Sequence, residues 1–379
     1  MILTAVVLAG GKGVRLRPLT LNTPKPLLPV GNTPLLDHML SMLVAHGFER
    51  IIVAVNYLGW KILRHLLEKW SDKGVEVLAP KVNPQDTADA VRRLRDFIDG
   101  DFIVTMGDVL TNMNLRKFAD HHQRSGAFAT IALVEVPSLR DFGAVLLDKE
   151  GRVLHFIEKP RFDETYIVTV AYCNPARLSA LHRNMANSGF YAFRYEVLDL
   201  LEENPQLMDF GRHVFPWLLE NGYDVRGWES SAYWIDVGRP ATYLTANFDL
   251  LAGLVEPLHP HGRRRDGVWL GENVEVAPSA RLVPPVALGD DVKVGSESRL
   301  GPFAVIGHGS RVRDGATVEY SVMLSGAEVG EGARVLSSII GGGVQIRPRC
   351  TVESMVIKDG EIISNDVIAE AELGALLAR

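Results

Sequence analysis

The sequence has only two cysteines among 379 residues, Cys173 and Cys350, far apart and in neither a CxxC nor a zinc-ligand spacing. That usage fits a reduced compartment, and no disulfide is expected. No run of about eighteen uninterrupted apolar residues occurs, so no transmembrane helix is expected. A basic block is also missing. The net charge of -6 is spread along the chain, which argues against nucleic acid as the main partner. The apolar stretch from Met1 to Gly10 lacks the basic n-region of a signal peptide and runs directly into a glycine loop, so it reads as a buried first strand. The expectation is a cytoplasmic protein in which phosphate binding is local.

The chain is too long for one ordinary core, and its 47% hydrophobic content is ample for two. Through residue 250 short apolar runs alternate with amphipathic stretches. Strands are expected at 3–8, 50–55, 75–78 and 102–105, and helices at 34–46, 58–70, 86–98 and 115–124. This rhythm implies an α/β fold with a doubly wound, mostly parallel, Rossmann-like sheet. In such sheets ligands bind beyond the C-terminal ends of the strands. Residues 257–266 mix proline, glycine and charge and read as a linker, between a catalytic domain at 1–256 and a second domain at 267–379.

In that second domain a different period begins. Small or apolar residues recur every six positions from Val268 through Val274, Ala280, Val286, Val292, Ser298, Ala304, Ser310, Ala316 and Val322, and two places after each stands a branched aliphatic, from Leu270 to Leu324. Such hexads read as coils of a left-handed parallel β-helix, three hexads to a coil, with the aliphatics stacked inside. The register is expected to slip near Ala327 and again near Val344. Residues 366–379 read as an amphipathic helix capping the open end. Phe303, Val305 and Met323 fall on outward positions, and their apolar character suggests a domain that holds subunits together as a homo-oligomer.

The strongest chemical signal is Leu8-Ala9-Gly10-Gly11-Lys12-Gly13-Val14-Arg15-Leu16-Arg17-Pro18-Leu19-Thr20, followed by Pro24-Lys25-Pro26-Leu27-Leu28-Pro29-Val30-Gly31. Glycines directly after a first strand let backbone N–H groups approach a nucleotide, and nearby cations can neutralise its phosphates. The loop is not a Walker loop, because Gly13 follows Lys12. Nor is it a dinucleotide fingerprint, because Leu16 stands where a small residue is needed.

These stretches resemble the GGxGxRLxPLT and PKPLLPVGxxPLL motifs of the sugar-nucleotide pyrophosphorylases, the sugar-1-phosphate nucleotidyltransferases, and the resemblance covers nearly the whole chain. It implies that Leu8, Ala9, Gly10, Gly11 and Gly13 line the nucleotide and that Arg15 and Lys25 hold its β- and γ-phosphates. Asp108, in Val104-Thr105-Met106-Gly107-Asp108, matches the family's first magnesium ligand. Asp236, in Trp234-Ile235-Asp236-Val237-Gly238, matches the second. Two carboxylates plus phosphate oxygens suit Mg²⁺. Gly143, Glu158 with Lys159, and Asn187 match the family's sugar-site motifs, with Glu158 on sugar hydroxyls and Lys159 on the 1-phosphate.

Two departures stand out. The base-binding segment reads Pro84-Gln85-Asp86-Thr87-Ala88-Asp89 where the family has PLGTAG. Gln85, Asp86 and Asp89 are expected at the nucleotide, and Asp86 either accepts from guanine N1–H and N2–H or points to solvent. Residues 161–186 form an insertion, read as a lid, a subunit contact or a neutral loop. Length and layout resemble the mannose-1-phosphate guanylyltransferases, so GTP and mannose 1-phosphate are the expected substrates. Glucose 1-phosphate with a thymidylyl or adenylyl donor, and an atypical sugar or cyclitol phosphate, stay open. A non-catalytic regulatory relative would be expected to lose Arg15, Lys25, Asp108 or Asp236, and all four are present. Acyl transfer would need a histidine in the repeats. His308 is the one there, and it reads as a turn residue.

Overall fold

The computed structural model describes residues 2–160 and 184–368. Most of the 161–186 insertion, Cys173 and all but the first residues of the helix expected over 366–379 lie outside the described residues. Contacts group the chain into two compact units, one of Met1–Gly11, Met39–Gly107 and Met113–Trp234, the other of Lys12–His38, Asp108–Asn112 and Ile235–Arg379.

The first unit is built on strands β1 (Thr4–Leu8), β4 (Arg50–Ala54), β5 (Glu76–Leu78) and β6 (Phe102–Met106), which run parallel in the order β6-β1-β4-β5. The intervening numbers, β2 (Pro29–Val30) and β3 (Thr33–Pro34), form a hairpin in the second unit. β1 reads Thr-Ala-Val-Val-Leu and is buried along nearly its whole length, as a strand covered on both faces must be. Helices α1 (Leu35–Ala45), α2 (Gly59–Trp70) and α4 (Leu115–Ser125) fall where periodicity predicts them. α4 starts on Asn114, whose side chain accepts from the Lys117 amide, and stops at Gly126 with φ 65°, the cap residues that sequence logic favours at each end. The helix expected over 86–98 is shorter. α3 covers Thr87–Arg92, and a separate 3-10 turn follows at Arg95–Phe97.

Beyond β6 the sheet turns antiparallel. Strand β11 (Met185–Phe193) pairs antiparallel with β6 and with β8 (Ala129–Glu135), and β9 (Gly143–Leu147) pairs antiparallel with β10 (Val153–Glu158). The sheet is therefore mixed, with its parallel half carrying the glycine loop. Tyr191, Phe193, Phe210 and Phe215 cluster within this unit's core, with Phe193 and Phe210 stacked at 5.1 Å.

In the second unit residues 268–368 form three parallel sheets, the architecture of the expected left-handed β-helix. In one sheet Val268 aligns with Val286 and Val286 with Ala304, as the hexads require. The next partner of Ala304 is Ser321, not Val322. From here successive coils are a residue shorter than the hexad rule allows, so the slip comes before Ala327. Because side chains alternate across a strand, this one-residue change inverts the assignment. Met323 points inward, fully buried in the coil's aliphatic core, and Val322 takes the outward place. The outward Val305 is also buried, and the Phe303 ring lies 5.4 Å from that of Phe248 on the helix Pro240–Leu251. Of the apolar positions read as a subunit contact, Met323 and Val305 are thus buried and Phe303 is half-buried against Phe248. At the far end Val367–Ile368 form a strand aligned on Val352 and Glu353, so the chain is still in the coil where the terminal helix was expected to begin. Among the described residues no helix is long and apolar enough to cross a membrane.

Candidate active site

In the second unit three short 3-10 turns, Val14–Leu16, Leu19–Leu21 and Lys25–Leu27, carry the chain from the glycine loop to the β2–β3 hairpin. Gly13 precedes them with φ 59°, and a Cβ there would lie 2.9 Å from Thr20 Cγ2. The Thr20 hydroxyl donates to the Gly13 carbonyl at 2.7 Å. Only glycine fits both the backbone and the space.

The turn at 25–27 delivers Lys25 to two carboxylates. Its Nζ lies 2.5 Å from Oδ2 of Asp108 and 3.3 Å from Oδ1 of Asp236, residues 83 and 211 positions away in sequence. The small sheet of β7 (Val109–Thr111) and β13 (Trp234–Asp236) brings the two acids together, and the Val237 amide donates to the Asp108 carbonyl at 3.2 Å. Burial alone would lower the Lys25 ammonium. The two carboxylates outweigh that penalty and hold it above its ordinary value. Arg15, more than half exposed, sets Nη2 3.6 Å from Oδ2 of Asp236. Gly238 leaves room for this pair, since a Cβ there would lie 2.7 Å from Asp236 Oδ2 and 2.9 Å from Arg15 Nη2. The cluster is two acids, one buried cation and one exposed cation.

The first unit carries the other expected residues. Leu8 and Ala9 are held by the sheet, with the Gly107 amide on the Leu8 carbonyl and the Ala9 amide on Ala54. Gly10 would bring a Cβ within 3.1 Å of Asn56 Cβ, whereas Gly11 has open space around it. The loop past the strand end is therefore free to meet a ligand through its backbone.

The segment 84–89 is fixed from behind. The Ala88 and Asp89 amides both donate to the Met208 carbonyl, and the Thr87 hydroxyl donates to Asp209 Oδ2 at 3.0 Å. Asp86 caps α3 through the Thr87 amide. Desolvation and the neighbouring Asp209 raise its pKa. Asp89 is engaged by its own neighbours. It is wholly buried, one oxygen pairing with Arg92 and the other accepting from the Gln85 amide at 2.8 Å and from Arg93 at 2.9 Å. In this arrangement Asp89 fixes the Gln85 backbone.

Glu158 ends β10 directly opposite Gly143 on β9. A Cβ on Gly143 would lie 3.0 Å from Glu158 Oε2, and one on Gly211 would lie 2.8 Å from the same atom. The carboxylate therefore fits between two glycines. Lys159, at φ 49°, places Nζ 3.3 Å from Glu158 Oε1 and stays exposed. Asn187 donates to the Tyr191 hydroxyl at 2.9 Å and accepts from the Gly189 amide at 3.0 Å, which fixes the amide's orientation.

Residues 4–253 match the family described as nucleotidyl transferase, and residues 282–373 match the GMPPB C-terminal domain. The chain belongs to the nucleotidyl transferase family. The resemblance read from the loop motifs, to the sugar-1-phosphate nucleotidyltransferases, is upheld, and the chain is an enzyme of that type. It is similar to the mannose-1-phosphate guanylyltransferase of Mycobacterium tuberculosis, 32% identical over 331 residues covering 86% of this chain and 81% of that protein. The UTP–glucose-1-phosphate uridylyltransferase of Synechocystis is 28% identical over 348 residues, 88% and 85% of the two chains. The glucose-1-phosphate adenylyltransferase of Geobacter metallireducens is 31% identical over 281 residues, 65% of each.

Within this nucleotidyl transferase, Arg15, Lys25, Asp108 and Asp236 come together as one cluster, and Gly143 and Glu158 come together as another. Sequence reasoning missed Gly211 and Asp209. Nothing in the sequence beside Gly211 or Asp209 marks them, because each matters through a neighbour far along the chain.

Proposed function

We propose that the protein joins GTP to mannose 1-phosphate, releasing pyrophosphate, in a cytoplasmic homo-oligomer. The observation that carries the reaction is the meeting of Lys25 with Asp108 and Asp236 beside Arg15. Support for this substrate pair comes from the match to the GMPPB C-terminal domain and from the mycobacterial relative, a mannose-1-phosphate guanylyltransferase. A glucose 1-phosphate with another nucleotide remains the second reading, favoured by the uridylyl and adenylyl relatives.

An oxygen of the sugar 1-phosphate attacks the α-phosphorus of the NTP. The bond from that phosphorus to the bridging oxygen breaks, and pyrophosphate leaves with the bond's electrons. The attacking phosphate is already deprotonated near neutral pH, so neither a protein nucleophile nor a general base is required. Arg15 and Lys25 neutralise the departing pyrophosphate. Lys159 attracts the sugar phosphate, Glu158 takes sugar hydroxyls, and Gly143 and Asn187 shape that pocket. The backbone of residues 8–13 and of Gln85, with the Asp86 carboxylate, receives the nucleotide.

Asp108 and Asp236 suit a divalent cation, since they already share one cation, the Lys25 ammonium, and supply only oxygen donors. Mg²⁺ bound there would stabilise charge developing on the phosphate oxygens. Purified protein assayed with five NTPs against several sugar 1-phosphates, reading pyrophosphate, tests the reading. Maximal release with GTP and mannose 1-phosphate is expected, and maximal release with another pair would transfer the assignment to that pair.

A further inference from the structure

The β-helix reaches the chain segment that carries Lys25. His261, Asp290 and His308 gather with their ligating atoms within 4.8 Å of one another, a spacing that would suit a metal. Hydrogen bonds already account for the group. His261 Nε2 lies 2.8 Å from Asp290 Oδ1, which also accepts from the Glu272 amide, and the Asp290 amide donates to His308 Nδ1 at 2.9 Å. The other ring nitrogen, Nε2 of His308, lies 3.1 Å from the carbonyl of Asn32. A carbonyl can only accept, so Nε2 carries a proton and donates in either protonation state of the ring.

Asn32 and Gly31 form the tip of the β2–β3 hairpin, with φ 66° and 59°, the left-handed pair that a two-residue hairpin turn requires. The tip is held through both of its residues. The Asn32 side chain donates to the Ile306 carbonyl, the Gly31 amide donates to Asn247 Oδ1, and the Gly31 carbonyl accepts from the His261 amide. Nearer the base, the Tyr243 hydroxyl donates to the Pro29 carbonyl, and His38 Nε2 donates to the Val30 carbonyl. At the base the Leu28 amide donates to the Lys25 carbonyl, and the Leu35 amide donates to the Leu28 carbonyl. The hairpin is therefore a short rigid lever, with its tip in the β-helix and Lys25 at its root.

We propose that His308, through its hydrogen bond to the Asn32 carbonyl, is a positioning residue for Lys25, so that the β-helix sets the cation that meets the NTP phosphates. The proposal rests on the nucleotidyl transfer reading for the role of Lys25. It gives the repeat domain a part in the reaction that holding subunits together would not require. Loosening the tip displaces the ammonium, and displacements of about 1 Å in a phosphate-positioning group cost up to about a hundredfold in rate.

Two variants of the full chain separate positioning from mere stability. His308→Asn retains an acceptor for the Asp290 amide and loses the donor to Asn32. His308→Gln carries an amide N–H near the place of Nε2. With His308→Asn, KM for the NTP rises and kcat falls, about tenfold in kcat/KM, while KM for the sugar 1-phosphate is unchanged, and His308→Gln recovers most of the loss. A protein that is only less stable lowers kcat through its active fraction and leaves both KM values alone. Hydrogen exchange of the peptide spanning 25–34 is read on the same samples, and faster exchange in His308→Asn is expected. Unchanged NTP KM with unchanged exchange over 25–34 would overturn the proposal. If the wild type releases no pyrophosphate with any substrate pair, the functional reading falls, and the exchange measurement alone decides whether His308 holds the hairpin.

Discussion

Nζ of Lys25 lies 2.5 Å from Oδ2 of Asp108, an ion pair between a buried lysine and a half-buried carboxylate that links the hairpin root to the residue just before β7. Asp236 completes the group at 3.3 Å. If the two acids hold the divalent cation, Asp108→Asn and Asp236→Asn should each lower turnover by orders of magnitude, as loss of a charged metal ligand does. Circular dichroism should show the fold intact. Near-normal rates in either variant would remove that residue from the metal site.

Gly211→Ala tests the sugar side without touching a charge. The added methyl would sit 2.8 Å from Glu158 Oε2, so the carboxylate must move. KM for the sugar 1-phosphate should rise several-fold while KM for the NTP holds. An equal change in both constants would mean that Glu158 is not at the sugar.

The pH dependence of stability has a definite sign. His122 is buried against Thr130, with Nδ1 2.7 Å from its hydroxyl, and burial pushes the ring down to about 4. Its folded value lies below the unfolded one, so the unfolded chain binds more protons between about pH 4 and 6.5. The stability is complete above about pH 6.5 and is lost as pH falls toward 4, on the order of 3 kcal/mol from this ring. Buried His38 shifts in the same direction. Tm should fall between pH 7 and 5, and His122→Gln should flatten the fall. An identical slope in that variant would assign the loss to other groups.

Truncation after Asp266 separates two views of the repeat domain. If it only joined subunits, light scattering would show a smaller assembly and much of the activity would survive. The shortened chain also loses Ile306 and His308 from the hairpin tip and Phe303 from Phe248. Activity should therefore fall well beyond any change in assembly, with a lower Tm. Retained activity in a smaller assembly would restore the simpler view.

Much of this was legible in the sequence, for physical reasons. β1 and the helices α1, α2 and α4 declare themselves by periodicity and caps. The glycine loop and the two aspartates stand in motifs whose spacing carries the family likeness. What was illegible depends on partners brought together by folding. That the carboxylate of Asp89 is buried between Arg92, Arg93 and the Gln85 amide does not show in its motif. Met323 reads as outward because the hexad count runs on past a coil that is one residue short. His308 reads as a turn residue, and it is one, but its partner Asn32 lies 276 positions away.

The most direct test of the central claim is pyrophosphate release by the purified protein with Mg²⁺, measured with and without a sugar 1-phosphate across five NTPs. Release from one NTP that requires the sugar phosphate, and is greatest with GTP and mannose 1-phosphate, is the predicted result. No sugar-dependent release from any NTP would contradict the account.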